Sequence, residues 1–319
     1  MRRALLVGID EYSADSLSGC TSDADRMAEV LARHEDGSPN FDCRPLLAPT
    51  GGGLARVTRT ALRREIDTLF KSPADLALLH FSGHGTVNNL DGYLVTQDAA
   101  QYDEGVSMTE VLKLANESPV KEVVVFLDCC HSGALGAVPS IDDKRAILRQ
   151  GISILTASRA AEVSVEVGGG GLFTSLVVDA LRGGAVDLRG NVTPSAIYAF
   201  VEAALGAWDQ RPLFKAHVSE VVALRKCTPP IDLSIVRDLP SLFPLPAEDL
   251  ELSPQHEETS MDAKPERVAV FRKLQALNRV HLVVPVGAPH LYEAAMQKQA
   301  CRLTATGRYY WRLARDRRV

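Results

Sequence analysis

Leu76-Ala77-Leu78-Leu79-His80-Phe81-Ser82-Gly83-His84-Gly85 and, later in the chain, Val123-Val124-Val125-Phe126-Leu127-Asp128-Cys129-Cys130-His131-Ser132-Gly133 are built alike. Each opens as a short apolar run and stops abruptly on small and polar residues. Such runs are too short for buried helices and too continuously apolar for strands with one wet face. They read as parallel strands covered on both sides. Ala4–Ile9 and Ile152–Ala157 share this character, and Cys43–Leu47 and His217–Leu224 are weaker candidates. Helical spacing fills the gaps: Ala24, Met27 and Leu31 follow a Ser22-x-x-Asp25 start signal, and Ala61, Ile66 and Leu69 follow the glycines at 51–53. Met108–Ala115, Leu172–Leu181 and Pro194–Leu205 complete the set. This alternation predicts an α/β sandwich whose site lies at the carboxyl edge of the sheet.

The 319 residues are 46% hydrophobic and 24% charged, ordinary globular usage that excludes a disordered or collagenous chain. The N-terminal apolar run Ala4–Ile9 is too short for a membrane span or a signal segment, so no membrane partner is expected. Six cysteines, two of them adjacent at 129 and 130, do not form a disulfide framework. The expected setting is cytoplasmic and reducing.

Charge divides the chain. Residues 266–319 hold eleven Lys or Arg against three acids, net +8, which leaves −13 for residues 1–265 of a chain whose net is −5. Between Thr228 and Lys264 lie six prolines and eight acids against two bases. The expected organisation is a domain over 1–226, an acidic Pro-rich linker over 227–265 with a short helix near 232–238, and a small basic domain over 266–319. In that last part Arg267–Leu277 and His290–Met296 read as helices and His281–Val286 as a strand.

The two opening stretches also carry chemistry. Small residues around His84 let backbone approach a substrate closely, and Cys130 stands at the mouth of the sheet. A thiol and an imidazole from two strand ends suit thiol catalysis, since only the thiolate is nucleophilic and an imidazolium lowers its pKa. A buried cysteine pair beside a loop histidine is an equally weighted reading of the residues alone.

His80-Phe81-Ser82-Gly83-His84-Gly85 and Asp128–Gly133 do not stand alone. With Ala4-Leu5-Leu6-Val7-Gly8-Ile9, Leu17-Ser18-Gly19-Cys20-Thr21-Ser22-Asp23-Ala24 and Ile154-Leu155-Thr156-Ala157-Ser158, they occur in the order and spacing of a known family. The chain resembles the caspase-like cysteine peptidases, and among them the metacaspases and their bacterial relatives, over roughly residues 1–225. That resemblance implies a three-layer caspase-like sandwich on a mostly parallel six-stranded sheet. It makes His84 the catalytic histidine and Cys130 the nucleophile, with the N–H groups of Gly85 and Cys130 as the oxyanion hole. Cys129 and His131 are then structural neighbours.

Where Asp-specific caspases carry an S1 arginine, this chain has none beside Gly19–Asp23. Asp23 and Asp128 match the acids that metacaspases place in S1, which implies cleavage after Arg or Lys. Each also has a plainer role, Asp23 complementing a helix dipole and Asp128 capping a helix. Lys144, Arg145 and Arg149 lie where the family cleaves itself, although Asp142–Leu148 also reads as a charged helix. No metal or other cofactor is expected: Ala134–Ser140 holds no acid, and Asp91, Asp98, Asp103 and Glu104 read as a solvated loop. A zinc site of His84, Cys129, Cys130 and His131 fails on ligand spacing.

Leu303–Leu313 resembles the last helix of winged-helix modules, with Arg302, Arg308, Arg312, Arg315, Arg317 and Arg318 around it. Residues 266–319 therefore read equally as a nucleic-acid-binding module, a docking module for a protein partner, or a segment folding back on the acidic part of the chain. The expected protein is a cysteine endopeptidase acting on protein substrates, held latent as a zymogen until a protein partner or dimerisation activates it. Its setting by resemblance is bacterial antiviral defence or cell death. The alternatives are a catalytically silent caspase-fold adaptor and a DNA-associated regulator.

Overall fold

The structure, a computed structural model, describes residues 1–13, 15–52, 56–88, 91–101, 103–129, 148–157, 166–167, 170–205, 212–218, 220 and 222–319. The chain divides into two compact units, one of Met1–Val186 with Asn191–Thr228, the other of Asp187–Gly190 with Pro229–Val319.

In chain order the first unit contains β1 (Arg2–Ile9), α1 (Cys20–Ala32), β2 (Asp42–Ala48), α2 (Arg59–Lys71), β3 (Leu76–Ser82), β4 (Gly85–Val87), β5 (Gly92–Ala100), β6 (Asp103–Ser107), α3 (Met108–Glu117), β7 (Glu122–Asp128) and β8 (Ile152–Thr156). β9 (Glu166–Val167), β10 (Gly170–Gly171), α4 (Leu172–Asp179), β11 (Asn191–Val192), α5 (Pro194–Leu205), β12 (Leu213–His217) and β13 (Arg225–Lys226) follow. Six strands form one sheet in the order β12-β8-β7-β3-β1-β2, parallel except for β12.

Alternation along the central strands assigns side chains to the two faces. Leu5, Val7, Ala77, Leu79, Phe81, Val123, Val125 and Leu127 join the core under α2 and α3. Ala4, Leu6, Leu76, Leu78, Val124 and Phe126 join a second core under α1, α4 and α5. Both faces are dry, which is why these strands are apolar throughout. Phe70, Phe81, Phe126 and Phe173 are fully enclosed, each contributing about 2–3 kcal/mol by leaving water. The same alternation carries His80, Ser82 and Asp128 onto the α1/α4 face. Because β2 and β3 flank β1 on opposite sides, the strand order reverses beside β1, and a crevice opens at the carboxyl ends of β1 and β3.

Two expectations change. The last strand is Leu213–His217 rather than His217–Leu224. It is an edge strand, half-exposed over Leu213–Lys215, so apolarity marks it poorly. The expected solvated loop over Asp91–Glu104 is largely an antiparallel sheet, β4-β5-β6, holding Asp98 in β5 and Asp103 and Glu104 in β6. Asp91 is buried and accepts hydrogen bonds from the N–H groups of Gly92 (2.7 Å) and Thr109 (3.3 Å).

The second unit contains α6 (Leu233–Arg237), α7 (Leu239–Leu242), β14 (Leu250–Glu251), α8 (Pro265–Arg279), β15 (Val283–Val286), α9 (Leu291–Met296), β16 (Ala300–Leu303) and α10 (Ala305–Arg315), with a sheet ordered β14-β16-β15. Its core joins Val236, Leu239, Phe243 and Leu252 to Phe271, Leu274, Leu277 and Val283. Residues 229–265 are therefore part of a folded body rather than a linker. Their acids pair with the bases that follow: Asp238 with Lys273 (2.6 Å), Asp249 with Arg302 (2.8 Å) and Glu258 with Arg272 (2.7 Å). Proline density misleads here because Pro240 and Pro265 sit in the first turns of helices, where no N–H is needed. α10 is the helix expected within Leu303–Leu313, displaced by two residues, with Trp311 Nε1 donating to Phe243 O (2.7 Å).

Candidate active site

Beyond β3 the chain turns at Gly83, whose N–H donates to Asp128 O (3.3 Å), and presents His84 half-buried at the sheet edge. The His84 ring lies against Tyr12, with centroids 4.6 Å apart. Its Nε2 is 2.5 Å from Asp15 O. A carbonyl only accepts, so Nε2–H is the donor in that contact and Nδ1 is the ring nitrogen left for proton exchange. An imidazole held in that orientation can take a proton at Nδ1 and return it. Gly85 begins β4 next to His84, and both line a cavity of about 340 Å³ with Tyr12, Asp15, Thr86 and Glu104.

The two predicted acids meet on the other face of the sheet. Asp23 belongs to the first turn of α1, whose N-cap Gly19 (φ +106°) supplies no side-chain cap. Asp10, at the end of β1, does so instead: its Oδ1 accepts from Cys20 N–H (2.7 Å), and Thr21 Oγ1 donates to its Oδ2. The helix is thereby anchored at the crevice with Asp23 pointing inward, fully buried. Ser82 Oγ (2.9 Å) and Gly171 N–H (3.0 Å) donate to Asp23 Oδ2, and Arg26 pairs with Oδ1. Asp128 Oδ2 accepts from Thr174 N–H (3.1 Å) and Thr174 Oγ1 (2.7 Å). A Cβ on Gly171 would come 2.0 Å from Asp128 Oδ2 and 3.1 Å from Asp23 Oδ2, so backbone rather than side chain separates the carboxylates here.

Burial, then the neighbouring charge of Asp23, pushes the Asp128 carboxyl up to about 6. Burial also raises Asp23, against hydrogen bonds from Gly171, Arg26 and Ser82. Among the described residues Arg26 is the cation paired with this site, one positive charge for two carboxylates. Cys20, behind Ser82, is pushed up by burial and stays a neutral thiol. His80, its pKa lowered to about 3 by burial, stays neutral with Nε2 3.0 Å from Thr174 Oγ1. Since Thr174 Oγ1 donates to Asp128, His80 Nε2–H is the donor in that contact. Sequence reasoning missed Ser82, Thr174, Arg26 and His80 as site residues. The only signal was alternation, which sets Ser82 and His80 on the face of Asp128.

Cys130, His131, Lys144 and Arg145 lie outside the described residues. Asp128 and Ser82 are in register across β7 and β3, and Cys130 and His84 each follow by two residues in sequence. Cys129 is buried. Arg149 is an anchor: its guanidinium donates to the carbonyls of Ala115 (3.1 Å), Val120 (2.6 Å), Lys121 (3.4 Å) and Gln150 (2.7 Å). Among the described residues no three His, Cys, Asp or Glu side chains group as a metal site, and no helix is long and apolar enough to cross a membrane.

Comparison with known proteins gives this arrangement a context. The caspase domain of peptidase family C14 matches residues 1–220. Metacaspase-2 of Trypanosoma brucei brucei is 28% identical over 155 residues, covering 43% of each chain. Metacaspase-1B of Aspergillus fumigatus is 30% identical over 164 residues, covering 47% of this chain and 40% of that relative. The chain thus spans about two fifths of the length of these curated relatives. Two crystal structures share the fold. A Geobacter sulfurreducens protein superposes with a TM-score of 0.51 at 19% identity, over 72% of this chain and 97% of that one. Caspase-1 of Spodoptera frugiperda superposes with a TM-score of 0.50 at 14% identity, over 71% and 90%.

Proposed function

This chain belongs to the caspase-domain family, and from that premise we propose that it is a cysteine endopeptidase cleaving protein substrates after Arg or Lys. Cys130 is the nucleophile. Its thiolate adds to the scissile carbonyl, and the N–H groups of Gly85 and Cys130 stabilise the resulting oxyanion. His84 carries the thiol proton to the departing amine; the C–N bond breaks and leaves an acyl-enzyme. Water, deprotonated by His84, then hydrolyses the thioester and frees Cys130.

The observation that carries the specificity is the buried carboxylate pair, with which Arg26 is the one cation paired among the described residues. Asp23 is balanced by Arg26, whereas Asp128 holds its charge against burial and against Asp23. A cationic P1 side chain would supply the missing positive charge and form charge-assisted hydrogen bonds at a buried, water-poor site. An anionic P1 residue would meet two like charges.

Arg-ended and Asp-ended fluorogenic peptides test this. The wild type is expected to hydrolyse the former, and Cys130→Ala neither; preferential cleavage of the Asp-ended peptide refutes the assignment. Self-processing, where it occurs, is expected at Lys144 or Arg145, because the Arg149 guanidinium is committed to four carbonyls. Mass spectrometry of the fragments identifies the bond. As a fusion of a peptidase to a second compact body, the protein fits a regulated effector of bacterial defence or cell death, with the second body as the docking element for an activating partner.

A further inference from the structure

We propose that Tyr12 is a positioning residue for His84; the inference rests on the peptidase reading above and extends it to a residue outside the thiol–imidazole pair. Tyr12 lies three residues beyond β1 and is buried among Val57, Phe81, Leu94 and the rest of the α2/α3 core. Its hydroxyl accepts the backbone N–H of His84 at 2.9 Å and lies 3.4 Å from Val95 O, to which it donates. The N–H of Val95 in turn donates to His84 O at 3.0 Å. His84 N–H, Tyr12 O–H and Val95 N–H therefore form a closed circuit that fixes both ends of the His84 backbone to β5.

The same loop fixes the ring. Tyr12 packs against the imidazole, and Asp15, three residues on, accepts from Nε2 with its own backbone in the left-handed region (φ +54°). That loop is closed at its base by Leu17 N–H donating to Asp10 O (2.8 Å) and tied to β5 by Gln97 Nε2 donating to Glu11 O (3.0 Å). Burial raises the phenol well above its ordinary pKa, so the hydroxyl stays protonated and keeps its donor role.

Gly83 shows how tightly the hydroxyl is fitted. A Cβ there would stand 2.5 Å from Tyr12 Oη, with the next atoms, on Phe81, at 3.1 and 3.3 Å. Glycine at 83 is the space that Tyr12 occupies. The circuit thus reaches from the turn, through the hydroxyl, to the neighbouring sheet, and the imidazole keeps one orientation while protons move through it.

Tyr12→Phe keeps the ring and removes only the oxygen. With an Arg-ended peptide, kcat is expected to fall by about tenfold to a hundredfold, as for a misplaced catalytic group, while KM stays within about twofold. The pH dependence of iodoacetamide labelling, read on the Cys130 peptide by mass spectrometry, is expected to lose its low-pH shoulder as the imidazolium moves off the thiolate. A merely structural tyrosine would shift the melting temperature and leave both readouts unchanged. Gly83→Ala provides the second arm: it should lower kcat in the wild type and add little on top of Tyr12→Phe. Additive losses, or wild-type kcat and labelling in Tyr12→Phe beside an inactive His84→Ala, overturn this proposal alone. Full activity in His84→Ala overturns the peptidase reading and this one with it.

Discussion

Asp128 is costly where it stands. Its carboxyl is raised to about 6 in the folded chain, by burial first and by Asp23 second, from an ordinary value near 3.8. Between those two values the folded state binds the proton and the unfolded state does not, so this group's contribution to stability falls as pH rises through that window. Above about 6 both states are ionised and the penalty is constant, on the order of 3 kcal/mol. Asp128→Asn, which can still accept from Thr174, is therefore expected to raise the melting temperature at pH 7.5, with the gain shrinking toward pH 4. Melting curves across pH measure it. The same substitution should cut kcat/KM for Arg-ended peptides by about a hundredfold, and the wild type should show an acid limb near pH 6 on those substrates.

Among elements, α1 illustrates how position comes from a neighbour. Its N-cap is a glycine in the left-handed region, and the missing cap is replaced by Asp10, the residue after β1. Asp10→Ala is expected to cost about 1–3 kcal/mol, because a buried N–H loses a charged acceptor; chemical denaturation reads this directly. Because Asp23 rides on that first turn, KM for Arg-ended peptides should rise as well. The start of α4 depends on close approach in the same way. Gly171→Ala would force its Cβ onto Asp128 Oδ2, so a destabilised and inactive protein is expected, detected by paired melting and hydrolysis assays. Helix and strand identities were legible wherever periodicity was strong, as in Leu76–Ser82 and Pro194–Leu205. β12 and the β4-β5-β6 sheet were not, because partly solvated and polar strands lack an apolar signature.

Across the whole molecule, the charge split along the sequence does not coincide with the division into two units. Unit by unit, Asp187–Gly190 with Pro229–Val319 holds fourteen bases against twelve acids, net +2, and the other unit holds −7. The basic C-terminal stretch is balanced by the acidic stretch before it, through exposed pairs each worth at most about 1 kcal/mol. A near-neutral body is a poor polyanion ligand. The full chain is expected to show no salt-dependent binding to duplex DNA near physiological ionic strength in a filter-binding titration; a steep salt slope would restore the nucleic-acid reading.

The order of amino acids alone specified the parallel strands and the carboxyl edge of the sheet as the place for a site, while the resemblance of its motifs to a known family supplied the candidate roles of His84, Cys130, Asp23 and Asp128. Runs, spacings and turn residues are local properties, readable without knowing what lies across the sheet. Packing was needed to bring Arg26, Ser82 and Thr174 onto the two carboxylates, to hand Tyr12 and Asp15 to His84, to tie down Arg149, and to turn an apparent linker into part of a folded body. Each of these joins residues distant along the chain or on different elements, and hydrogen bonding and charge act over a few ångströms of space, whatever the number of residues between the partners.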